Sequence, residues 1–229
     1  MIFPAAAPAA KIGPGHSRMK RAILLWIELL GIFVAAPILM YERVLPNWPM
    51  PFLLLTMIWA LLVLRNDGSF DQKLLVQREG IGAGFRRLLM RDVPLLALLG
   101  LAVWLAAPKL LFSLVKAAPA LWLLVMVLYP IVSVYPQELL YRAYFFHRFK
   151  PLFGSEAGMI AASAVLFGFV HIIFGNWISI VLTAVGGALF GLTYRSSRSL
   201  PLACLEHALF GDFIFTIGIG RYFYHLARH

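Results

Sequence analysis

The sequence predicts an all-α fold, a polytopic membrane bundle of about seven transmembrane helices with one interfacial amphipathic helix. Three observations favour this fold class. Hydrophobic residues make up 62% of the 229 residues, and the mean hydropathy is +0.85. Charged residues make up only 13%, about half of the share in a soluble domain. Several apolar runs also approach the roughly 20 residues that a helix needs to cross a bilayer.

Turn signals separate the apolar runs and set the limits of the predicted spans. The seven spans cover residues 22–40, 50–64, 93–107, 119–149, 157–175, 177–194 and 200–218. Residues 22–118 therefore form a membrane scaffold, and residues 119–218 carry the polar motifs. We expect a disordered basic tail at 1–21 and a short C-terminal tail at 219–229. Pro136 removes a backbone hydrogen bond inside the fourth span, so a kink is expected there.

The linker between the second and third spans is the one long polar connection. Its residues 70–92 mix apolar side chains with Arg78, Arg86, Arg87 and Arg91. Such a pattern predicts a helix that lies in the membrane interface with its basic face toward the headgroups. A short cytoplasmic cap packed on the bundle explains the pattern equally well, and the sequence leaves both interpretations open.

The formal net charge of +10 indicates membrane topology rather than nucleic-acid binding. The basic residues lie in connections beside apolar spans, where they orient the chain and contact anionic lipid headgroups. With the N-terminus inside, 14 of the 20 Lys and Arg residues fall on the inner side. We therefore expect a multi-pass protein of the bacterial inner membrane with a cytoplasmic N-terminus. The single cysteine, Cys204, excludes an internal disulfide and a metal site of cysteines alone.

Ionisable side chains recur within three of the predicted spans, where they are costly and therefore indicate function. Glu138 and Arg142 stand four residues apart in the fourth span, which places them on one helix face and permits an ion pair. The fifth span contains a histidine and the seventh contains three ionisable residues. These residues are His171, Glu206, His207 and Asp212.

The depths of these residues allow them to meet. At about 1.5 Å per residue, Glu138 and His207 lie about 16 Å above the inner ends of their spans, and His171 lies about 21 Å above its own. All three depths fall in the middle of a bilayer core about 30 Å thick. The sequence therefore predicts one polar intramembrane cluster. A purely structural network between helices is the competing interpretation.

Three motifs in the second half of the chain resemble those of a known family. The stretch from Gln137 to Arg142 resembles an EExxxR motif, and the stretch from Phe167 to His171 matches FxxxH. A third motif, Hxxx(N/D), begins at His207. Together they resemble the CAAX protease and bacteriocin-processing (CPBP) family of intramembrane endopeptidases, related to the Ras-converting CAAX endopeptidases. The resemblance implies hydrolysis of a peptide bond in a membrane-anchored or lipidated protein.

The resemblance also implies a role for each motif. A motif glutamate and His171 would activate a water molecule, while His207 and a following Asn or Asp would stabilise the oxyanion. The chain departs from this pattern at two positions. The first motif glutamate is Gln137, whose amide cannot take a proton. Position 211 is a glycine, and the acidic residue Asp212 comes one place later.

Three explanations for the departure at Gln137 are open. We expect Glu138 to serve as the base, held by Arg142. The alternative is that Glu206, on the seventh span, supplies the lost carboxylate. In the third explanation catalysis is lost, and a pocket remains that binds a membrane peptide or partner. Besides Glu206, two residues of the motif regions are expected in supporting positions, namely Phe167 and Asp212.

Glutamate and histidine chemistry without a metal is favoured, because the sequence contains no HExxH motif. The alternative is a zinc ion held by Glu138, His171 and His207, which would be three ligands with an open fourth position. A transporter or channel pathway lined by the same charges is a further alternative. No inverted repeat of broken helices is visible that would favour transport.

Overall fold

Seven long helices make up most of the chain in the computed structural model, which describes residues 14–46 and 48–224. They are α1 (14–41), α2 (Pro49–Asn66), α3 (Ile81–Ala106), α4 (Pro119–Arg148), α5 (Glu156–Val170), α6 (Trp177–Ser197) and α7 (Leu200–Thr216). Short helical turns lie between them at Gln72–Leu75, Pro108–Leu110, Ser113–Ala117, Lys150–Leu152 and His171–Phe174, and one follows α7 at Ile219–Phe223. No strand occurs in the described ranges. The predicted all-α bundle is therefore confirmed.

Six of these helices are long and apolar enough to cross a membrane, when α5 is taken together with the His171–Phe174 turn that continues it. The remaining helix, α7, coincides with the predicted seventh span but has only 17 residues, a length of about 25 Å. Large apolar side chains on the outer faces, such as Leu98, Leu105 and Val127, are more than half exposed. A water-soluble protein would bury such residues, whereas lipid covers them at no cost. The chain is an integral, multi-pass membrane protein.

Both ends of the described chain differ from the sequence prediction. Helix α1 begins at Pro14, so residues 14–21, which were assigned to a disordered tail, are helical. Met19, Lys20 and Arg21 directly before the apolar run are good helix formers, and Pro14 is suited to the first position of a helix. A helix already nucleated in the membrane therefore extends into this segment at little cost. The rest of the predicted tail, 1–13, lies outside the described residues. At the other end, Ile219–Phe223 forms a 3-10 turn, and 225–229 again lie outside.

The predicted interfacial helix at 70–92 is wrong as a separate element. Gln72–Leu75 forms only a short 3-10 turn. The remainder belongs to α3, which continues from Ile81 to Ala106 through Pro94 without a break. The reason is that no turn signal separates the basic segment from the apolar span, so one helix includes both. The basic residues Arg86 and Arg87 therefore occupy the first turns of a spanning helix.

Helix α4 lies at the centre of the bundle, and the segment from Leu139 to Phe145 is buried throughout. Two π-helical stretches, Tyr129–Val134 and Leu139–Tyr144, interrupt it. They flank Pro136, where the sequence predicted a local distortion. A π turn widens the helix and rotates the side chains that follow it, and such turns are frequent at functional sites.

Close packing joins α5 to α6, and an ion pair joins α1 to α4. In α5 and α6, a Cβ added at Gly168 would lie 2.7 Å from Ala184 Cβ, and one at Gly187 would lie 3.1 Å from Phe167. These helices therefore approach backbone to backbone, which small residues in spanning helices allow. Helix α1 is joined to α4 by Glu28, which accepts hydrogen bonds from Arg148, with Nη2 at 2.7 Å.

The connection after α2 is also tied to α4. Asp67 accepts hydrogen bonds from the backbone and hydroxyl of Ser69, and its other oxygen lies 2.9 Å from His147 Nε2. The hydrogen bonds of Ser69, followed by that of His147, hold the pKa of Asp67 well below its usual range. This connection fixes the end of α2 beside the end of α4.

Candidate active site

A cavity of about 570 Å³ opens among α1, α2, α4, α5, α6 and α7. Its wall is mostly apolar, with a few polar side chains close to the predicted motifs. Those polar residues are Thr56, Tyr129, Ser133, Gln137, Tyr141, His171, Thr183, His207 and Tyr224. Such a combination of apolar wall and few polar groups is typical of a small-molecule or peptide site.

Glu138 and Arg142 form the predicted ion pair at the centre of the bundle. Both side chains are completely buried, and Arg142 Nε lies 3.1 Å from Glu138 Oε2. The two atoms are poorly aligned for a hydrogen bond, so the contact is an ion pair. The second carboxylate oxygen, Oε1, lies 2.9 Å from His207 Nδ1. One carboxylate therefore joins a cation on its own helix to an imidazole on α7.

The guanidinium of Arg142 is held in one orientation by its other neighbours. Its Nη1 donates to Ser163 Oγ at 2.8 Å and to the carbonyl of Tyr141 at 3.3 Å. Its carbon lies 5.3 Å from the ring centre of Phe167 and 5.9 Å from that of Phe190. Aromatic faces stabilise a desolvated cation. Arg142 is thus a fixed positive charge behind the cavity wall.

The imidazole of His207 is packed between aromatic rings and reaches the cavity. It stacks on Phe190, with ring centres 4.5 Å apart and planes 17° apart, and meets the edge of Phe167 at 5.5 Å. Because Glu138 engages Nδ1, the nitrogen at the opposite edge of the ring, Nε2, is the one available to a molecule in the cavity.

His171 is the first residue of the 3-10 turn that follows α5, and its side chain also lines the cavity. Its Nδ1 lies 2.7 Å from the backbone carbonyl of Phe167. A carbonyl oxygen only accepts, so Nδ1 carries a proton and Nε2 of a neutral ring is an acceptor. Phe167 packs against His171, His207 and Arg142, so this single ring contacts both histidines and the cation of the ion pair.

The side chain on α4 that faces the cavity is Gln137, not Glu138. Gln137 donates from Nε2 to Ser133 Oγ at 2.7 Å and lines the cavity together with the two histidines. Glu138 lies behind His207 and is absent from the wall. Glu138, the expected base, therefore does not face the cavity itself, because consecutive residues on a helix point about 100° apart.

The other two acidic residues of α7 do not join the cluster. Glu206 is fully buried but pairs with Arg91 of α3, which also contacts Asp92 at 2.7 Å and Thr193 at 3.3 Å. Asp212 does not line the cavity either. Neither carboxylate therefore lies on the cavity wall beside His207, where the sequence predicted supporting positions.

The predicted zinc alternative does not fit this arrangement. In the described ranges, no three or more His, Cys, Asp or Glu side chains are grouped so that they could hold a metal ion. Both oxygens of Glu138 already face protein groups, namely His207 and Arg142. We therefore derive no step through a metal.

Sequence reasoning missed three residues of the site. Ser163 holds Arg142, Phe190 stacks on His207, and Tyr129 lies on the cavity wall beside α7. Ser163 and Phe190 carried no usable signal, because a serine or phenylalanine in a spanning helix is ordinary. For Tyr129 a signal existed in Gly211, since a glycine in place of a polar motif residue leaves space for another side chain.

Comparison with known proteins agrees with the motifs. Residues 116–211 match the family model described as "Type II CAAX prenyl endopeptidase Rce1-like". No match was found among curated proteins or among solved structures. The matched segment contains Gln137, Glu138, Arg142, His171 and His207. The match covers less than half of the chain, and it supports the resemblance of this segment to CAAX-type membrane endopeptidases.

Proposed function

We propose that the chain hydrolyses a peptide bond of a membrane-anchored protein, with His207 as the general base and Glu138 acting through it. The observation that carries this proposal is the 2.9 Å contact between Glu138 Oε1 and His207 Nδ1 beside the cavity. A carboxylate behind an imidazole keeps the proton on the inner nitrogen and stabilises the imidazolium that forms during catalysis. The outer nitrogen, Nε2, then takes a proton from water.

This assignment differs from the roles that the family resemblance implies, and Gln137 is the reason. The family pattern has a carboxylate at this position for water activation with His171. An amide cannot accept a proton, and the remaining carboxylate, Glu138, contacts His207 instead. Water activation therefore moves to His207. Nε2 of His171 accepts a hydrogen bond from the same water, and the amide of Gln137 binds the substrate backbone.

Arg142 supports the base from behind. The site at rest contains one anion, Glu138, and one cation, Arg142, so its net charge is zero. When His207 takes a proton and the oxyanion forms, the net charge stays zero. A low-dielectric site favours such a balance, because an uncompensated charge there is expensive.

The substrate that fits is a peptide attached to a lipid chain. The cavity wall is largely apolar, with its polar groups gathered around Gln137, His171 and His207. The matching family model is named for prenylated CAAX sequences, in which the lipid sits on a cysteine near the C-terminus. We propose a prenylated or otherwise lipidated peptide, with the lipid along the apolar wall.

The test is cleavage of lipidated peptides by the purified protein in liposomes, followed by mass spectrometry. We expect cleavage of a prenylated peptide and none of the same peptide without lipid. Treatment with a strong chelator should leave the rate unchanged, because no step uses a metal. Loss of activity on chelation that zinc restores would contradict the metal-free mechanism. Absence of cleavage across prenylated and acylated peptides would contradict the function.

A second candidate function is a catalytically inactive protein that binds a membrane peptide, and the amide of Gln137 on the cavity wall favours it. Here the decisive variant is Gln137→Glu. If native protein binds the lipidated peptide without cleaving it and Gln137→Glu cleaves, the natural protein is a binding protein. If native protein cleaves, we expect Gln137→Glu to alter the rate only modestly.

We also infer that the inner ends of the spans face the cytoplasm. The basic residues favour this orientation, and it places them beside anionic lipid headgroups. In a Cys204→Ser background, a cysteine placed at Ser69 should be protected from an impermeant thiol reagent in intact cells, and one at Arg43 should be labelled. The reverse pattern would invert the topology.

A further inference from the structure

Tyr129 occupies the position that a side chain at residue 211 would take. A Cβ built on Gly211 would overlap both the ring and the hydroxyl of Tyr129. Only a glycine at this position of α7 therefore allows the tyrosine to lie against the helix backbone. Tyr129 starts the π-helical stretch Tyr129–Val134 of α4, and this wide turn is where its side chain leaves the helix.

The ring of Tyr129 packs against the proposed base. Gly211 follows His207 by four residues, so the two positions share one face of α7. The rings of Tyr129 and His207 meet edge to face, with centres 6.0 Å apart. Both side chains line the same cavity. Phe215 packs on the other side of the tyrosine ring at 5.5 Å, which holds it in place.

The O–H group of Tyr129 is also free to donate a hydrogen bond. Among the described residues it has no hydrogen-bond partner, although the ring is largely enclosed. A phenolic O–H in an apolar cavity gains most from a partner that carries negative charge. The oxyanion of a tetrahedral intermediate is such a partner.

We propose that the hydroxyl of Tyr129 donates the hydrogen bond that stabilises the oxyanion, in place of the missing side chain at 211. This inference rests on the proposed function. Water oxygen bonds to the carbonyl carbon, its proton passes to Nε2 of His207, and the C=O electron pair moves to oxygen, which Tyr129 stabilises. The intermediate then re-forms C=O and breaks the C–N bond, and His207 returns the proton to the leaving amine.

The direct test is Tyr129→Phe, which removes the hydroxyl and keeps the ring. Since one oxyanion donor is worth about 10²–10³ in rate, we expect kcat to fall about 10²-fold with little change in KM. Tyr135→Phe is the matched control, because Tyr135 belongs to the same helix, is 39% exposed and does not line the cavity. A kcat for Tyr129→Phe within twofold of native would overturn the proposal.

Moving the hydrogen-bond donor from position 129 to position 211 tests the same role of Tyr129 through a gain in cleavage rate. Tyr129→Ala clears the space above Gly211, and adding Gly211→Asn to it places an amide donor there. We expect this double variant to cleave at least tenfold faster than Tyr129→Ala. Gly211→Leu in the same background fills the space without a donor and should give no gain. Equal rates for the Asn and Leu variants would show that Tyr129 only fills space.

Binding of a phosphinate peptide separates this inference from the proposed function. The phosphinate carries a tetrahedral anionic centre and reports oxyanion stabilisation without turnover. Native protein should bind it about 10²-fold more tightly than Tyr129→Phe does. If native protein binds in this way but cleaves nothing, the proposed function fails and the role of Tyr129 stands. Equal binding by both proteins, or none by native protein, would overturn the role of Tyr129.

Discussion

Replacing Glu138 with glutamine is expected to lower kcat by about 10³-fold or more, because the proton on His207 moves to the wrong nitrogen. In the native protein Glu138 accepts from Nδ1 of His207, which leaves Nε2 free to act as a base. A glutamine would turn its oxygen toward the cation of Arg142 and its NH₂ group toward His207. An NH₂ group only donates, so Nδ1 would have to accept and Nε2 would carry the proton.

The measurement is kcat with a lipidated peptide in liposomes, normalised to folded protein. Glu206→Gln is the matched control, since Glu206 is equally buried and adjacent to His207 but pairs with Arg91 outside the cavity. It should keep most of the activity. His207→Ala should lose about 10²–10⁴-fold as a general base. The double variant Glu138→Gln/His207→Ala should be no slower than the slower single variant, because the two residues act as one unit.

Three outcomes would contradict the roles proposed for Glu138 and His207. Near-native activity of Glu138→Gln would remove Glu138 from the mechanism. A dead Glu206→Gln beside an active Glu138→Gln would place the base at Glu206. If His171→Ala is inactive while His207→Ala retains cleavage, water activation belongs to His171, as the family pattern implies.

Several parts of the site followed directly from the sequence. Span limits and helical rise gave Glu138 and His207 the same depth, and the structure places them 2.9 Å apart. The spacing of Glu138 and Arg142 gave their ion pair, which is present at 3.1 Å. These predictions needed only the rise per residue and the number of residues per turn of a helix. These two quantities are nearly independent of tertiary packing.

The rotation of each helix about its axis could not be predicted in the same way. Which of Gln137 and Glu138 faces the cavity depends on how α4 is turned, and the π-helical stretches on both sides of Pro136 alter that rotation. For the same reason the sequence could not show that Glu206 pairs with Arg91, a residue that is distant in sequence. The position of a residue along its helix determines its depth in the membrane. The packing between helices determines the direction in which its side chain points.

The failed interfacial helix shows a related limit. Residues 70–92 do mix apolar and basic side chains. Such a composition does not say where one helix ends and the next begins. With no proline or glycine turn between Arg91 and the apolar run, α3 continues through both. A helical boundary needs a stop signal, and Pro94 alone does not provide one within a membrane, where neighbouring groups satisfy the freed carbonyl.

Replacing Arg142 with methionine is expected to destabilise the protein by about 3–5 kcal/mol, because it leaves the carboxylate of Glu138 buried without its cation. Glu138 and Arg142 both have no exposed surface, so water cannot compensate. Methionine is unbranched and fits between Phe167 and Phe190, so the loss reports charge rather than volume. The measurement is the free energy of unfolding in mixed detergent micelles, from a denaturing-detergent titration.

The control and the double variant make this prediction specific. Arg148→Met removes an arginine of the same helix whose side chain is 36% exposed and pairs with Glu28, so it should cost only about 1 kcal/mol. Adding Glu138→Gln to Arg142→Met removes the unpaired charge and should recover part of the loss, since replacing both partners of a buried pair is far milder than removing one. Equal losses for Arg142→Met and Arg148→Met, or no recovery in the double variant, would show that Glu138 is not held as a carboxylate by Arg142.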